Sequence, residues 1–496
     1  MTLENPAKVA DELTLELARR APEVTRMESY YNGEQGLAYA SDEWAAFNSD
    51  RFSTFSDNWC GVVAQASAER IKLVGIRIGT DSDIVSDDER ELMRVWDRNE
   101  MQAQSTQGFL HTIVTGRSFV LVWPTDGDPL ISWERSDQIV VSYDVETRQP
   151  QYALKAWFEN GMQYATLFTA DEIIKLERPS ADAVPVPSTA TRSVAHYTRA
   201  AGGWLPRASA GDDWQSVNPL GVLPIVEVPN RPSLGADPIS DIKGVVSMQD
   251  SVNLMWAYLF AAADFASMPA RVVMGQEPPM RPILDDGGNI VGETQIELEH
   301  LAKGRMLWLS GGESSIGQWD SADLDKFTAI VTSAVQHIAA QTRTPLQYIL
   351  GELTNINSET LIASETGLVK KVEEFELHAG AAMRRVFQLI ALAQGNLQLA
   401  DDILGSDIVW ADPQTRTMAQ ASDAALKDRQ VGFPFAWVAA NRYGMTPEQI
   451  EKVTALREDE SVRMLENDLA IAFGAKAETD SLQAGPPTTA ADVTAV

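Results

Sequence analysis

Cysteine is all but absent from this chain. A single thiol, Cys60, stands among 496 residues, so no disulfide framework can form within one molecule, and nothing calls for an oxidising compartment. Histidine is scarce too. His111, His196, His300, His337 and His378 are scattered without metal-ligand spacing, and each reads as a surface or packing residue. No G-x-x-x-x-G-K-[ST] phosphate loop occurs, which argues against a nucleotide-driven motor. No G-x-S-x-G elbow is present either. The chain has no run of about 20 apolar residues to span a bilayer. Residues 1–20 are helical in pattern and lack the layout of a signal peptide. Cations are outnumbered: 40 Lys and Arg stand against 70 Asp and Glu, a formal charge of −30. Tight nucleic-acid binding rests on cations displacing counterions from phosphate, so any contact with DNA must be loose.

What is present describes a folded chain of mixed structure. Apolar residues make up 44% and charged residues 22%, and the length allows two to four modules with a substantial core. The block that organises the rest runs from Asp237 to Arg343. A long helix is expected over Asp237 to about Ala266, with Asp237 as cap and Pro238 at the first helical position. Its apolar stripe, Ile239, Ile242, Val246, Trp256, Leu259 and Phe260, is interrupted by Gln249, Asp250, Ser251 and Asn253. A small strand-and-turn insert follows from Pro269 to about Ser321. Its expected strands are Arg271–Met274, Gln295–Leu298 and Met306–Leu309, with a turn at Asp285-Asp286-Gly287-Gly288. A second helix, about Asp323 to Arg343, brings the chain back.

Around this block the chain reads as α+β. An amphipathic helix covers residues 5–32 and stops at Asn32-Gly33. Residues 41–70 predict aromatic-rich helical packing, and Ile71–Ile78 a strand broken by Gly75. Helical pattern returns from Asp87 through Leu110. Strands are predicted at Ser118–Trp123, Leu130–Trp133, Gln138–Asp144, Tyr152–Glu159, Gln163–Thr169 and Glu172–Leu176, an antiparallel meander rather than a βαβ series. Residues 178–220 read as a long loop or weak hairpin, and Leu223–Val228 as a strand. After a loop at Leu346–Asn357, a very long helix is expected from about Ser358 to Gln394, with Gly367 and Gly380 inside it. A strand at Ile408–Trp410 precedes helices at about Thr417–Asp428, Pro434–Arg442, Pro447–Leu456 and Asp459–Phe473. The Ala, Thr, Gly and Pro of 477–496 predict a disordered tail.

No constellation for chemistry stands out. The pairs Asp285-Asp286 and Glu373-Glu374 read as solvated carboxylates, and Cys60 as a small buried residue. The 13 tryptophans are spread without interleaved cations, which favours packing over base stacking. No cofactor or metal is expected, and the chain is read as a non-enzyme. Two alternatives stay open: an oligomeric scaffold or adaptor without a channel, and a carboxylate-based hydrolase acting on a polymer.

Several short stretches carry a resemblance in their order. They are Tyr30-Tyr31-Asn32-Gly33, Arg70-Ile71-Lys72-Leu73-Val74-Gly75-Ile76, Trp96-Asp97-Arg98-Asn99, and Gly116-Arg117-Ser118-Phe119-Val120. Leu223-Pro224-Ile225-Val226, Pro229-Asn230-Arg231 with Asp237-Pro238-Ile239-Ser240-Asp241-Ile242, and Ile408-Val409-Trp410-Ala411-Asp412-Pro413 follow. Over about residues 26–450 the chain resembles the SPP1-like portal proteins of tailed bacteriophages. That resemblance implies a portal fold with a wing, a helical stem, a small α/β clip and a helical crown. After an N-terminal arm (1–25), the wing would take 26–236 and 359–415, the stem 237–268 and 322–344, and the clip 269–321. The tunnel loop would be 345–358 and the crown 416–475, with the tail at 476–496. It further implies a ring, usually of twelve copies, at one capsid vertex, through which double-stranded DNA is packaged and ejected. The partners implied are further copies of the chain, capsid and scaffolding proteins, the terminase large subunit and then a head–tail adaptor. The location implied is the virion, and host cytoplasm during assembly. On this reading Gln347, Glu352, Asn355 and Asn357 face the channel. Lys326, Arg343, Lys370 and Lys371 make transient phosphate contacts or lie in subunit contacts. Trp256, Tyr258 and Phe260 are candidates for subunit contacts or for core packing.

Overall fold

The computed structural model describes residues 5–37, 55–79, 85–179, 203–267, 271–274, 280–284, 287–295, 306–309, 315–318, 323–351, 358–414, 418–445 and 449–465. It divides into two compact units. The first comprises Met1–Arg70, Ala103–Val122 and Ser132–Ala382, and the second Ile71–Gln102, Trp123–Ile131 and Met383–Val496.

The first unit begins with the helix Pro6–Asn32. The Asn5 side chain accepts from the Lys8 N–H and Pro6 takes the first turn, while Gly33 closes the helix in the left-handed region at φ 74°. Ala10, Leu13 and Leu17 on its apolar face pack with Val140, Leu154, Ala165, Leu167 and Ile174 of the sheet and with Trp204 beside it. That sheet is the expected antiparallel meander. Strands Ile139–Tyr143, Pro150–Glu159, Met162–Phe168 and Glu172–Pro179 pair in sequence order, and short strands at Leu205–Pro206 and Gln215–Val217 border the last one. The poorly patterned stretch is therefore partly a sheet edge, and residues 180–202 lie outside the description.

A second antiparallel pairing joins Arg117–Trp123 to Ile225–Pro229. The helix Met101–Thr115 beside it carries Gly108 directly under an indole. A Cβ on Gly108 would lie 2.0 Å from the Trp133 ring. That ring cannot move aside freely, because its Nε1 donates to Ser118 Oγ at 2.7 Å and its edge meets Phe109.

The block from Asp237 departs from expectation at its start. Residues 237–242 are not helical. A short 3₁₀ turn spans Lys243–Val245, and the outgoing helix runs Val246–Ser267. Asp237 does not cap it; its carboxylate is 2.5 Å from Arg117 and 3.1 Å from Arg19. The strap between is held by tertiary bonds that outcompete the local helix signal. Ile239 N donates to Asn230 O, Asn230 Nδ2 donates to Ile239 O, and Asp241 N donates to Ile113 O. Gly116, at φ 94°, allows the strap to pass, since a Cβ there would meet the Pro238 carbonyl oxygen at 2.8 Å.

The outgoing helix packs on the return helix Asp325–Thr342. Val331, Val335, Ile338 and Ala339 form the buried face of the return helix. The interruptions in the outgoing stripe have a structural cause. Gln249 Oε1 accepts from Trp59 N at 2.8 Å and Cys60 N at 3.3 Å, two amide donors at the start of the helix Trp59–Ala68. Asn253 Oδ1 accepts from Asp57 N at 2.9 Å, and Asp250 accepts from the Tyr30 hydroxyl at 2.7 Å. All three are buried. They take donors from neighbouring elements, Gln249 those of a helix start, rather than fill an apolar stripe.

Between these helices the insert forms two small sheets. Arg271–Met274 is central, parallel to Met306–Leu309 and antiparallel to Ser315–Gln318. Met280–Leu284 and Ile290–Gln295 form a hairpin. The expected strand at Gln295–Leu298 is thus shifted toward the N-terminus, and the turn joins two strands of which the first was not foreseen. Asp285 and Asp286 lie outside the described residues.

The second unit pairs Leu73–Arg77 with Asp407–Trp410. The expected helix through Asp87 is two helices, Asp87–Arg98 and Met101–Thr115. They are separated at Asn99 and Glu100, where Glu100 takes a left-handed φ of 55°. Ser86 and Glu89 form a capping box, and Glu89 also accepts from Ile78 N. Trp96 is fully buried and lies 5.4 Å from Phe387, which belongs to the long helix Ser358–Ala393. That helix passes through both internal glycines without a break. Helices Met418–Val431 and Phe435–Tyr443 pack together, with Arg442 donating to Asp428 at 2.6 Å. Residues 449–465 form one continuous helix rather than two. Residues 38–54 and 466–496, with their expected packing and tail, lie outside the description.

Gly108→Ala tests the indole contact. Alanine is the better helix former by roughly 1 kcal/mol, yet overpacking against a held ring costs about 1–3 kcal/mol. The variant is expected to unfold at lower denaturant concentration than the parent, and an equal or higher midpoint would refute the contact.

Candidate functional site

Of the residues singled out for function, Arg343, Gln347, Lys370 and Lys371 lie near the junction between the return helix and the long helix, whereas Lys326 stands at the start of the return helix. The return helix ends at Arg343, which adopts φ 57° and whose N–H donates to Ala340 O. The short helix Leu346–Leu350 follows and is closed by Gly351 at φ 64°. The long helix begins at Ser358. Glu352, Asn355 and Asn357 fall between and lie outside the described residues. Gln347 is described: its Nε2 donates to Ser364 Oγ at 3.0 Å.

The four candidate cations divide into two kinds. Lys326 is largely exposed and 3.5 Å from Asp323, and Lys370 is 2.6 Å from Glu373. Arg343 is exposed and 4.0 Å from Glu374. Exposed pairs of this sort are worth about 0–1 kcal/mol, so each cation can exchange its partner for another anion at little cost. Lys371 is different. Its side chain is only 12% exposed, its ammonium lies 2.7 Å from the buried Asp241 carboxylate, and it donates to Thr342 O at 3.4 Å. It ties the end of the return helix to the strap, and this geometry turns it away from a role at the surface. Beside this junction Gly367 brings the long helix close to Arg343, whose Cβ lies 3.6 Å from where a Gly367 side chain would start.

The candidate subunit-contact residues also have partners within the chain. Trp256 Nε1 donates to Asp57 Oδ2 at 2.8 Å, and its ring stacks on Phe260 at 5.7 Å. Phe260 meets Phe55 edge to face at 5.3 Å and keeps 36% of its surface exposed. Tyr258 is half-buried.

Sequence reading passed over one constellation. Ser136 Oγ lies 3.1 Å from His111 Nε2, and His111 Nδ1 lies 3.5 Å from Glu28 Oε1. The three types in that order suggest a nucleophile, base and orienting acid. The environment argues otherwise. Ser136 is fully buried, and its backbone N–H donates to the same His111 nitrogen at 3.1 Å, occupying the lone pair a base would need. Glu28 is bound by both terminal nitrogens of Arg135, at 2.8 and 2.9 Å. Burial alone would raise the Glu28 carboxyl, but hydrogen bonds from His111 and Arg135 hold it down at about 2. The cluster therefore reads as a hub joining helix 6–32 to the helix Met101–Thr115 and to the loop at Arg135 and Ser136. Nothing in the spacing of residues 28, 111 and 136 could have announced it.

Two tests follow from this geometry. Because the Glu28 carboxyl sits below its ordinary value, its stabilising contribution is complete above the ordinary carboxylate range and fades as pH falls toward about 2. Glu28→Gln is expected to be clearly less stable than the parent at pH 7, with the gap in denaturation midpoints closing below pH ~4.5. A gap that does not vary with pH would refute the assignment. Lys371→Met leaves Asp241 buried without its partner, which typically costs roughly 3–5 kcal/mol. Lys371→Met with Asp241→Leu is expected to recover part of that loss in the same measurement.

Comparison with known proteins adds the following. The family described as phage portal protein, SPP1 Gp6-like, matches residues 11–434. Over 381 residues the chain is 26% identical to the portal protein of Mycobacterium phage L5, covering 73% of this chain and 69% of the relative. The portal protein of Mycobacterium phage D29 is also 26% identical over 381 residues, covering 73% and 70%. Among solved structures, a chain from the neck of a native gene transfer agent particle, computed with C12 symmetry, is similar with 13% identity and a TM-score of 0.40. The match covers 81% of this chain and 93% of that one.

Proposed function

The chain belongs to the SPP1 Gp6-like family of phage portal proteins, and from that premise we propose that its copies close into a ring at one capsid vertex, through which double-stranded DNA is packaged and later ejected. The observation that carries this reading is the pair of packed helices, Val246–Ser267 and Asp325–Thr342, with a small strand module inserted between them in sequence. The helices serve as stem and the strand module as clip. The meander and the long helix belong to the wing, residues 345–358 are the tunnel loop, and the helices after about residue 416 form the crown.

The charge balance suits a conduit. At −30 per chain, the protein repels phosphate more than it holds it, and few counterions are released by contact. Lys326, Arg343 and Lys370 are exposed and weakly paired, so they can touch a passing phosphate and let it go. The channel-facing groups are Gln347, Glu352, Asn355 and Asn357. Like charges brought together in a ring repel, and apolar contact between copies must offset this; the exposed edge of Phe260, with Trp256 and Tyr258, is one place for it.

The clip hairpin supports a docking role. Met280, Ile283, Leu284, Ile290 and Val291 are all exposed, and a two-stranded hairpin is marginally stable on its own. The terminase large subunit during packaging, and a head–tail adaptor afterwards, are the partners that would cover it. The protein would then sit in the virion at the portal vertex after assembly in the host cytoplasm.

Imaging of the purified protein tests the conduit. Rings with a central hole are expected, and a compact monomer with a cleft would overturn the reading in favour of an enzyme. Trp256→Ala is expected to shift native mass toward incomplete assemblies, whereas unchanged rings would remove that residue from the subunit contact.

A further inference from the structure

The motif that begins at Arg70 is not accounted for by the role above. Its first residue stands just past the helix Trp59–Ala68, where its backbone N–H donates to Ser67 O at 3.2 Å. The side chain turns inward and is only 7% exposed. One terminal nitrogen, Nη2, donates to the Tyr348 hydroxyl at 2.5 Å and lies 3.3 Å from Glu365 Oε1. The guanidinium also lies 5.7 Å from the centre of the Tyr348 ring. Glu365 is equally buried.

These partners stand on two successive helices. Tyr348 belongs to the short helix Leu346–Leu350, and Glu365 to the second turn of the long helix that starts at Ser358. The bond from Gln347 to Ser364 runs alongside. We propose that Arg70 is a positioning residue, a latch that fixes the segment Leu346–Leu350 to the long helix and so sets where that short helix presents Gln347. The proposal rests on the reading of that segment as channel-facing.

The chemistry fits a latch. Arginine does not lose its proton in the accessible pH range, and a buried pair is screened little by salt. The contact therefore persists under ionic conditions that loosen Lys326–Asp323 and the other surface pairs. Lysine would not substitute, because it lacks the flat guanidinium face that lies near the Tyr348 ring and its ammonium is more strongly hydrated.

Tyr348→Phe is the discriminating variant, since it removes the hydroxyl and keeps the ring and the short helix. In the assembled protein, chymotryptic cleavage after residues 348 and 350 is read by mass spectrometry, beside the overall melting temperature. Cleavage is expected to be about tenfold faster, with melting little changed; tenfold corresponds to about 1.4 kcal/mol. Arg70→Lys is expected to behave likewise and not to rescue. Unchanged cleavage in both variants overturns the latch. Particles carrying Tyr348→Phe are also expected to hold less packaged DNA. Faster cleavage with undiminished packaging would uphold the latch and sink the channel-facing reading, so the two fail separately.

Discussion

A buried polar group must find a partner or it destabilises the fold. Much of the first unit follows from how that constraint is met along one helix. Gln249, Asp250 and Asn253 sit on the buried side of Val246–Ser267. Had they been leucines, the helix could have rotated or slid against any apolar neighbour. As they stand, each accepts a specific donor. Gln249 receives the first amides of helix 59–68, Asn253 receives Asp57, and Asp250 receives the hydroxyl of Tyr30. Two separate parts of the chain, residues 57–60 and the end of helix 6–32, are thereby placed against the outgoing helix with one registry. Burial raises the Asp250 carboxyl above its usual range, with the Tyr30 hydroxyl acting in the opposite direction. This region is set by directional bonds rather than by apolar area alone.

The same division between directional and non-directional contacts runs through the charges. Pairs that face inward, Lys371 with Asp241 and Arg70 with Glu365, join elements distant in sequence. Pairs that face outward, such as Lys326 with Asp323, Lys370 with Glu373 and Lys427 with Asp423, join residues three or four apart in the chain. The first kind holds the junction of the return and long helices in place. The second kind adds little stability but leaves cations in a field of surplus carboxylate. For a proposed conduit this is a workable arrangement, because rigid supports lie beneath a surface with little grip on phosphate.

Local periodicity and turn chemistry account for most of the elements found. The meander, the two packed helices, the long helix and the helix 6–32 with its Asn-Gly stop all follow from patterns within a window of a few turns. Failures fall where tertiary bonds overrule such windows. Asp237-Pro238 carries a helix-start signal, yet Arg117 and Arg19 take the aspartate and Asn230 takes the backbone of Ile239. Glu100 breaks a periodic run because its backbone crosses into the left-handed region. The candidate site was legible only as a position in the chain. That Lys370 faces solvent while Lys371 is buried depends on which side of one helix meets the strap.

The amino-acid sequence alone determined the acidic character of the molecule, most of the order of its helices and strands, and the insertion of a small strand module between two helices. These are properties of composition and of short-range pattern, and they need no knowledge of what packs on what. Tertiary structure alone decided the partners of the buried polar groups: Gln249 with a helix start, Glu28 with Arg135 and His111, Arg70 with Tyr348 and Glu365. Each of those bonds joins residues far apart in the chain, and hydrogen-bond geometry is selective over tenths of an ångström. A linear pattern carries no information at that separation and that precision.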